Sequence, residues 1–535
     1  MSRPDRKSNH IALKQVTESL LAKQAEGAEA GEFLQRLHSV EFPLPSQSMM
    51  TLGNMAPHTA VVGSTGAGKT NILKLMMSYV FPCQNKYGGL RFRGVVYDPK
   101  RELYPYLCEI GIPESQIIVT HPFDARSSAW DLAADFSEPA QIEELAEMIV
   151  PEQESSNGTA NQFFENSARI IVQDVIEGLI ANRGKNWDLR DVVQSLSNIE
   201  YLKALLHETD NGRDSWDMFL APADDGRDSR TALNILATIR SFIRPFHSLA
   251  ALWYRAETKF SIKRWANGAG LLLLGADPER ERTVQRVNQL LVRRASQVLL
   301  ARSDENPVDW TWWFVDELRE AARLNGLRQM LNEGRSKGVR VVLGFQDIEG
   351  LYALYDKHEA EEMIGLCANR VFLHLDNPGT REWASDFLGE SEEEIPEVSK
   401  TVGRDSSETT AYKVDMRKNA LPIEFHSLPL ASPRDGIRGW YAYPGHRNKF
   451  WIDPNDIAPI LFPNTLSVKP PTFIARDADS QRLPKWNDSD LFGLDLESAP
   501  EKDDGDETGR TKKPKGKLKV PPHFRSKTDI VDDFE

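Results

Sequence analysis

The feature that most constrains the fold of this chain is a glycine-rich stretch near its start. Residues 63–70 read Gly-Ser-Thr-Gly-Ala-Gly-Lys-Thr and fit the pattern G-x-x-x-x-G-K-[ST]. The apolar run Ala60 to Val62 precedes them as a predicted strand, and Asn71 to Met77 follows with apolar residues at helical spacing. Strand, glycine loop and helix in this order predict a phosphate-binding P-loop. The alternative, an ordinary glycine-rich turn, gives Lys69 and Thr70 no role.

The P-loop pattern predicts ATP and Mg²⁺ as the ligands of this stretch. Lys69 would reach the β- and γ-phosphates, and Thr70 would place its hydroxyl on Mg²⁺. The glycines would let backbone N–H groups turn toward phosphate oxygens. The predicted nucleotide-binding residues are Gly63, Ser64, Thr65, Gly66, Ala67, Gly68, Lys69 and Thr70.

A P-loop also needs a carboxylate near Mg²⁺, and the sequence offers one at the end of an aromatic, β-branched run. Trp310 to Val315 predicts a buried strand, and it ends in Asp316 and Glu317. Buried, unpaired carboxylates are costly, so two acids directly after such a strand indicate a functional role. We expect Asp316 to hold Mg²⁺ through water and Glu317 to act as the general base on the attacking water.

Two further side chains are candidates for the catalytic cycle. Gln346 ends the strand Val339 to Phe345 and could sense the γ-phosphate, or it could make an ordinary strand-end hydrogen bond. Arg335 could act as an arginine finger on the nucleotide of a neighbouring subunit, although surface arginines beside glycines are common. Asp98 and Lys100, after another apolar strand, could contact nucleotide or a neighbouring subunit, or cap a turn.

The order of predicted elements gives the fold class, which is α/β with a P-loop. Strands and helices alternate from the P-loop to about residue 134 and again from about residue 256, and this alternation predicts a mainly parallel sheet covered by helices. Between these two regions, from about residue 135 to residue 255, the strand pattern disappears and helical periodicity replaces it. Within this helical region, Asp210 to Asp228 is rich in Asp and Gly and predicts a loop.

A chain of 535 residues suits two or three domains. We predict an N-terminal helical arm at 1–45, a nucleotide-binding domain made of 46–134 and 256–462, an inserted all-α domain at 135–255, and a disordered, flexible charged tail at 463–535. The tail is rich in Pro and charge, which disfavours a packed core.

Composition limits the compartment and the partners. The chain has three widely spaced cysteines, without metal-ligand spacing, and this is typical of a reducing compartment. The formal charge is −14, so any contact with DNA must come from local patches or a central channel. The start is polar and no apolar run approaches the roughly 20 residues that span a bilayer, so we expect no signal peptide and no transmembrane segment.

Several motifs together resemble the DNA-binding ATPase domain of type IV secretion system coupling proteins of the TraD/TraG type, which are relatives of the FtsK/HerA motor ATPases. The resemblance covers about residues 50–460 and includes the helical insert between the P-loop and the acid pair. The matching motifs are Gly63–Thr70, Asp98-Pro99-Lys100, His121-Pro122-Phe123-Asp124 with Trp130, Asp316-Glu317-Leu318, Glu333 to Gly338, Leu343 to Asp347, and Asn369-Arg370-Val371 with Asn377-Pro378.

The resemblance implies a RecA-like core, assembly into a homo-hexameric ring, and ATP-driven movement of DNA that carries a relaxase toward conjugative transfer. Such proteins usually begin with transmembrane helices, so a cytoplasmic chain of this kind would reach the inner membrane through a separate membrane or secretion-channel partner. Two other functions remain open. One is a soluble HerA/FtsK-like translocase in DNA processing or defence, and the other is a nucleotide-gated adaptor for protein substrates.

Overall fold

The fold is given by a computed structural model. The structure describes residues 41–43, 49–51, 57–86, 93–152, 159–222, 229–303, 310–401 and 407–496. The predicted N-terminal helix, and the acidic and basic runs after residue 500, lie outside these residues. No helix in the described part of the chain is both long enough and apolar enough to cross a membrane.

The strands of the described residues are β1 (Glu41–Pro43), β2 (Met49–Thr51), β3 (Thr59–Val62), β4 (Arg93–Asp98), β5 (Ile117–Val119), β6 (Ala129–Trp130), β7 (Lys259–Phe260), β8 (Gly270–Gly275), β9 (Thr311–Val315), β10 (Val339–Phe345), β11 (Asn369–Phe372), β12 (Glu390–Thr401), β13 (Ser407–Lys418), β14 (Ile437–Tyr443) and β15 (His446–Ile452).

The helices are α1 (Lys69–Lys86), α2 (Leu103–Glu109), α3 (Leu132–Asp135), α4 (Pro139–Ile149), α5 (Thr159–Arg183), α6 (Leu189–Ser197), α7 (Ile199–Leu206), α8 (Asp210–Ser215), α9 (Arg230–Ile243), α10 (Phe246–Tyr254), α11 (Ile262–Asn267), α12 (Glu281–Leu300), α13 (Leu327–Glu333), α14 (Ile348–Tyr355), α15 (Lys357–Gly365), α16 (Pro378–Leu388), α17 (Pro422–Ser427) and α18 (Pro454–Leu461). One π-turn, Trp216–Leu220, follows α8, and two short 3-10 turns are Glu114–Gln116 and Ala478–Gln481.

Nine of the described strands form one sheet in the order β15-β14-β11-β3-β10-β9-β4-β8-β5. The seven strands from β11 to β5 are parallel to their neighbours, and the hairpin β14–β15 adds an antiparallel edge next to β11. The central strand β9 is buried along its whole length because it carries Trp312, Trp313 and Phe314, which pack in the core. Phe314 meets Phe81 of α1 edge to face, with ring centroids 5.3 Å apart. The prediction of an α/β, RecA-like fold with a mainly parallel sheet is confirmed.

The described residues separate into two compact units. The first contains the sheet and its described residues lie within 41–128 and 260–477, and the second is mainly helical and its described residues lie within 129–259 and 478–496. The second unit thus starts near the expected all-α insert, and it adds a C-terminal segment that the sequence did not assign to it.

Two stretches of continuous helical periodicity in the second unit, 189–206 and 231–253, each contain two helices rather than one. Residues 189–206 form two helices because the Asn198 side chain accepts hydrogen bonds from the N–H groups of Glu200 and Tyr201 and thereby caps α7. Pro245, which has no N–H to donate, separates α9 from α10. The predicted loop at 210–228 is wrong for its first half, since Thr209 caps α8 through the N–H of Gly212.

The predicted flexible tail is also wrong for its first part, because residues 463–496 pack on the two units. Within the first unit, Thr465 donates to the carbonyl oxygen of Glu109 at 2.5 Å. Within the second unit, the Trp486 ring stacks on Tyr201 and its N–H donates to Asp191 at 2.9 Å. The burial of Trp486 and these side-chain hydrogen bonds offset the polar composition of the segment.

Candidate functional site

The order of the strands brings three predicted motifs together at the carboxyl ends of the parallel strands. Strand β3 runs into the P-loop, β9 runs into Asp316 and Glu317, and β10 lies between them and ends at Gln346. Because all three strands are parallel, their carboxyl ends lie at the same edge of the sheet. Ligands of open α/β sheets bind at this edge.

The P-loop has the backbone geometry that its glycines predict. Gly66 and Gly68 have positive φ angles of 79° and 104°, a conformation that residues with a Cβ rarely adopt. Within the described residues, the backbone N–H groups of Gly66, Gly68, Lys69 and Thr70 have no hydrogen-bond acceptor. These donors, at the N-terminus of α1, are therefore available to an anion.

The two predicted Mg²⁺ ligands are in direct contact. The hydroxyl of Thr70 donates a 2.6 Å hydrogen bond to Oδ2 of Asp316. Asp316 is buried at the end of β9, whereas Thr70 is half-buried at the start of α1. A hydroxyl and a carboxylate oxygen are hard ligands of the kind that Mg²⁺ prefers, so this pair fits a Mg²⁺ ion bound beside phosphate.

Lys69 is turned back onto its own loop. Its ammonium donates to the carbonyl oxygen of Gly63 at 2.6 Å and lies 3.8 Å from Oε2 of Glu317. Burial lowers the pKa of the Lys69 amine, while the charges of Glu317 and Asp316 oppose that shift. The ammonium also lies 3.4 Å from the carbonyl oxygen of Ser64, so it is held within the loop where phosphate oxygens would replace these carbonyls as its acceptors.

Glu317 is held in an unusual backbone conformation. Its φ angle is +62°, which costs a residue with a Cβ on the order of 1 kcal/mol or more, and the residue is 7% exposed. The Gln346 amide donates to its Oε2 at 2.8 Å, and Thr65 of the P-loop donates to the Gln346 carbonyl oxygen at 3.2 Å. The hydrogen bonds therefore link the P-loop through Gln346 to the acid.

The electrostatic setting of Glu317 suits a general base. Burial raises the pKa of its carboxyl group, whereas the hydrogen bond from Gln346 and the charge of Lys69 lower it. A raised pKa makes the carboxylate a stronger base than an exposed glutamate, which favours proton transfer from water.

Arg335 does not join this cluster. It is exposed and precedes β10, whereas Gln346 follows the same strand. A seven-residue strand is roughly 20 Å long. Arg335 therefore lies near the amino ends of the parallel strands, whereas its own P-loop lies at their carboxyl ends.

The alternatives for the stretch after β4 are resolved for Asp98. Its carboxylate accepts hydrogen bonds from the N–H groups of Glu102 and Leu103 at 3.1 and 2.7 Å, so it caps the turn before α2. Burial raises its pKa to about 6. Lys100 is exposed, and its charge contributes to the lowered pKa of Lys69.

Sequence reasoning did not select the residues that support the P-loop from its other side. The N–H of Ser64 donates to the carbonyl oxygen of His374 at 2.8 Å, and its hydroxyl accepts from the N–H of Asp376 at 2.8 Å. Both residues follow β11, which pairs with β3. Polar residues at the end of a parallel strand were the available signal.

Taken together, the open N–H groups, Lys69, the Thr70–Asp316 pair and Glu317 define a P-loop nucleoside triphosphatase site. A comparison with protein families agrees with this class. Residues 48–424 match the model of the type IV secretion-system coupling protein DNA-binding domain, and the chain belongs to that family. The family resemblance noted in the sequence is thereby confirmed.

Solved structures share the fold at low sequence identity. One is the bacterial conjugative coupling protein TrwBdeltaN70 in an unbound monoclinic form, with 19% identity and a TM-score of 0.59, covering 84% of this chain and 94% of that one. Others are the plasmid coupling protein TrwB with ADP and Mg²⁺, and with the ATP analogue ADPNP. Both have 20% identity and cover 84% of this chain and 96% of theirs, with TM-scores of 0.57 and 0.58. No curated protein sequence matched the chain.

Proposed function

We propose that the protein is an ATP-hydrolysing, DNA-binding motor that moves or recruits DNA, together with a relaxase, for conjugative transfer. The observation that carries the proposal is the 2.6 Å contact between Thr70 and Asp316, with Lys69 and Glu317 beside it, in a chain of the coupling-protein family. TrwB, which has the same fold, has been solved with ADP and Mg²⁺.

Each residue of the cluster has one role in the proposed reaction. The open N–H groups of Gly66, Gly68, Lys69 and Thr70 hold the phosphates, and the Lys69 ammonium exchanges the Gly63 carbonyl for phosphate oxygens. Thr70 directly and Asp316 through water would hold Mg²⁺, which would neutralise charge on the phosphates. Glu317 accepts a proton from the attacking water, and Gln346 orients that carboxylate.

The proposed assembly is a homo-hexameric ring. Arg335 supports it indirectly, because an exposed arginine on the far edge of the sheet can reach a nucleotide only in another subunit. In a ring, Arg335 of each protomer serves as the arginine finger of the next site.

The proposed location is the cytoplasmic side of the inner membrane, reached through a separate membrane or secretion-channel partner. The described cysteines Cys108 and Cys367 are both free thiols, as a reducing compartment predicts. The family match favours this role over a HerA/FtsK-like translocase in DNA processing or defence, and the intact acid pair disfavours a protein adaptor that hydrolyses little.

The test is ATP turnover with and without DNA. We expect DNA to stimulate the wild-type protein, and we expect Lys69→Ala and Glu317→Gln to be inactive with or without DNA. Lys357→Ala and Glu138→Gln, which change exposed residues on α15 and just before α4, are the matched controls and should behave as wild type. Turnover that ignores DNA would favour the adaptor, and turnover that survives Lys69→Ala would overturn the assignment of the site.

A further inference from the structure

A second cluster of metal-ligating side chains lies on the other side of the P-loop. It consists of His374 and Asp376, which follow β11, and His426 at the end of α17, and we refer to it as the His–Asp–His cluster. One ligand atom from each residue lies within 4.8 Å of the other two. Two imidazoles and one carboxylate form a donor set typical of divalent transition metals, whereas Mg²⁺ prefers oxygen ligands.

The ring of His374 is already oriented as a metal ligand. Its Nδ1 lies 2.6 Å from the carbonyl oxygen of Leu428, an atom that can only accept, so Nδ1 carries a proton and donates. This leaves Nε2 with the lone pair in the neutral ring, facing Oδ1 of Asp376 at 2.9 Å. Metal-bound histidines generally donate their second N–H to a carbonyl or carboxylate in this way.

Nε2 of His374 and Oδ1 of Asp376 lie 2.9 Å apart, the separation of a hydrogen bond from a protonated ring, and a divalent ion would take the place of that proton. The third ligand atom, Nδ1 of His426, lies 3.9 Å from the same carboxylate oxygen. In a tetrahedral zinc site with bonds of about 2.0–2.1 Å, neighbouring ligand atoms are roughly 3.3 Å apart. Both measured distances are within about 0.6 Å of that separation, which side-chain rotation can supply.

The cluster is open to solvent and tied to the P-loop. The side chains of Asp376 and His426 are 65% and 50% exposed, so a metal ion can enter without opening the fold. The N–H of Asp376 donates to the hydroxyl of Ser64 in the P-loop. Two of the ligands precede residues 377–425 and the third follows them, so a bound ion would join the two ends of this segment, which contains α16 and the β12–β13 hairpin.

We propose that His374, Asp376 and His426 form a Zn²⁺ site that is separate from the Mg²⁺·nucleotide site and closes the segment 377–425 beside the P-loop. The three protein ligands leave a fourth position for water. This site does not depend on the proposed ATP hydrolysis, because none of its ligands belongs to the Thr70–Asp316 pair.

The experiment is a Co²⁺ titration of the full-length, chelator-treated protein without nucleotide, because tetrahedral Co²⁺ has visible absorption bands and Zn²⁺ displaces it. We expect about one Co²⁺ per chain, displaced by Zn²⁺, with affinity reduced at least about tenfold in His374→Ala and in His426→Ala. His426 is half-exposed, so its replacement leaves the fold intact even if that of His374 does not. His358→Ala, an exposed histidine on α15, is the control and should bind as wild type.

Two comparisons decide the outcome. Asp316→Asn should retain the Co²⁺ bands, since the Mg²⁺ position is a different site. The proposal is overturned if the wild-type protein gives no bands beyond those of Co²⁺ in buffer, or if the bands persist unchanged in both His374→Ala and His426→Ala. Loss of the bands in Asp316→Asn would assign the metal to the nucleotide site and would also overturn it.

Discussion

The hydroxyl of Thr70 donates a 2.6 Å hydrogen bond to Asp316, although 246 positions separate the two residues in the chain. The helical insert accounts for much of that separation in sequence. In the sheet, however, only β10 lies between β3 and β9, so the two residues meet at the ends of nearby strands. The bond holds the two proposed Mg²⁺ ligands together before nucleotide arrives. A preorganised pair of this kind reduces the reorganisation that nucleotide binding requires.

The Thr70–Asp316 pair predicts how nucleotide affinity depends on Mg²⁺. Asp316→Asn replaces the carboxylate that would bind the water ligands of Mg²⁺ with a neutral amide. The factor by which Mg²⁺ strengthens nucleotide binding should therefore be about 10- to 100-fold smaller than in the wild type. Calorimetric titration of ATP analogue with and without Mg²⁺ measures this difference. Asp479→Asn, which changes an exposed aspartate, should retain the full Mg²⁺ effect. An unchanged Mg²⁺ effect in Asp316→Asn would place the ion elsewhere.

The hydrogen bond from Gln346 to Glu317 predicts a shift in the pH profile. That bond stabilises the carboxylate and so lowers its pKa against the raising effect of burial. Gln346→Ala removes the bond, so the pKa of Glu317 should rise and the acid limb of kcat/KM should move to higher pH. Gln285→Ala, which removes a surface glutamine that donates to Glu281, should leave the limb in place. A limb that moves to lower pH would contradict Glu317 as the base.

The positive φ of Glu317 predicts that glycine is better tolerated there than alanine. Both Glu317→Gly and Glu317→Ala lack the carboxylate and should not turn over ATP. The difference between their free energies of unfolding therefore reports the backbone conformation. At a φ of +62° glycine should be more stable by about 1 kcal/mol, measured by chemical denaturation. At Glu320, an exposed turn residue, the order should be reversed, because glycine there only adds freedom to the unfolded chain. Equal stability of the two Glu317 variants would show that the site stores no strain.

The segment after residue 462 predicts a stability effect at Arg126. Its guanidinium binds the buried carboxylate of Asp124 at 2.6 Å and the carbonyl oxygens of Pro471 and Thr472 at 2.9 and 3.1 Å. Arg126→Ala should cost about 1–3 kcal/mol and speed amide hydrogen exchange in residues 463–477, since those carbonyls and the carboxylate lose their donor. Arg482→Ala, a change to an exposed arginine, should alter neither measurement.

The sequence was sufficient for the parts of the fold that depend on local pattern. Long apolar runs such as Gly270–Gly275 and Val339–Phe345 are strands because they are buried on both faces of a parallel sheet, and the fixed spacing of the P-loop identified its own ligands. The pairing of β3 with β10 rather than directly with β9 depends on contacts between distant parts of the chain. The sequence could therefore offer a strand-end hydrogen bond of Gln346 only as one of two alternatives, and it could not name Glu317 as the partner.

The errors have equally physical causes. The pattern after the acid pair continues to Ser336 without a strong helix breaker, but positive φ angles at Glu317, Ala322 and Gly326 delay the helix until Leu327. Helical periodicity does not register such turns. The ordered path of residues 463–496 depends on partners distant in sequence, such as Asp191 for Trp486, which composition cannot reveal. His374 and His426 are 52 positions apart and meet only after the hairpin folds back.

The exposed position of Arg335 predicts complementation between subunits. Arg335→Ala should bind nucleotide normally but turn it over about 10³-fold more slowly, because a finger acts on the transition state. Lys69→Ala retains the arginine but lacks the lysine of its own site. In a mixed ring, the arginine of a Lys69→Ala subunit can complete the site of an Arg335→Ala neighbour, so the mixture should exceed the summed activity of the two variants. Arg328→Ala, a change to an exposed arginine on α13, should retain wild-type turnover and gain nothing from mixing. Wild-type turnover by Arg335→Ala would remove the finger from the mechanism, and with it this support for the ring.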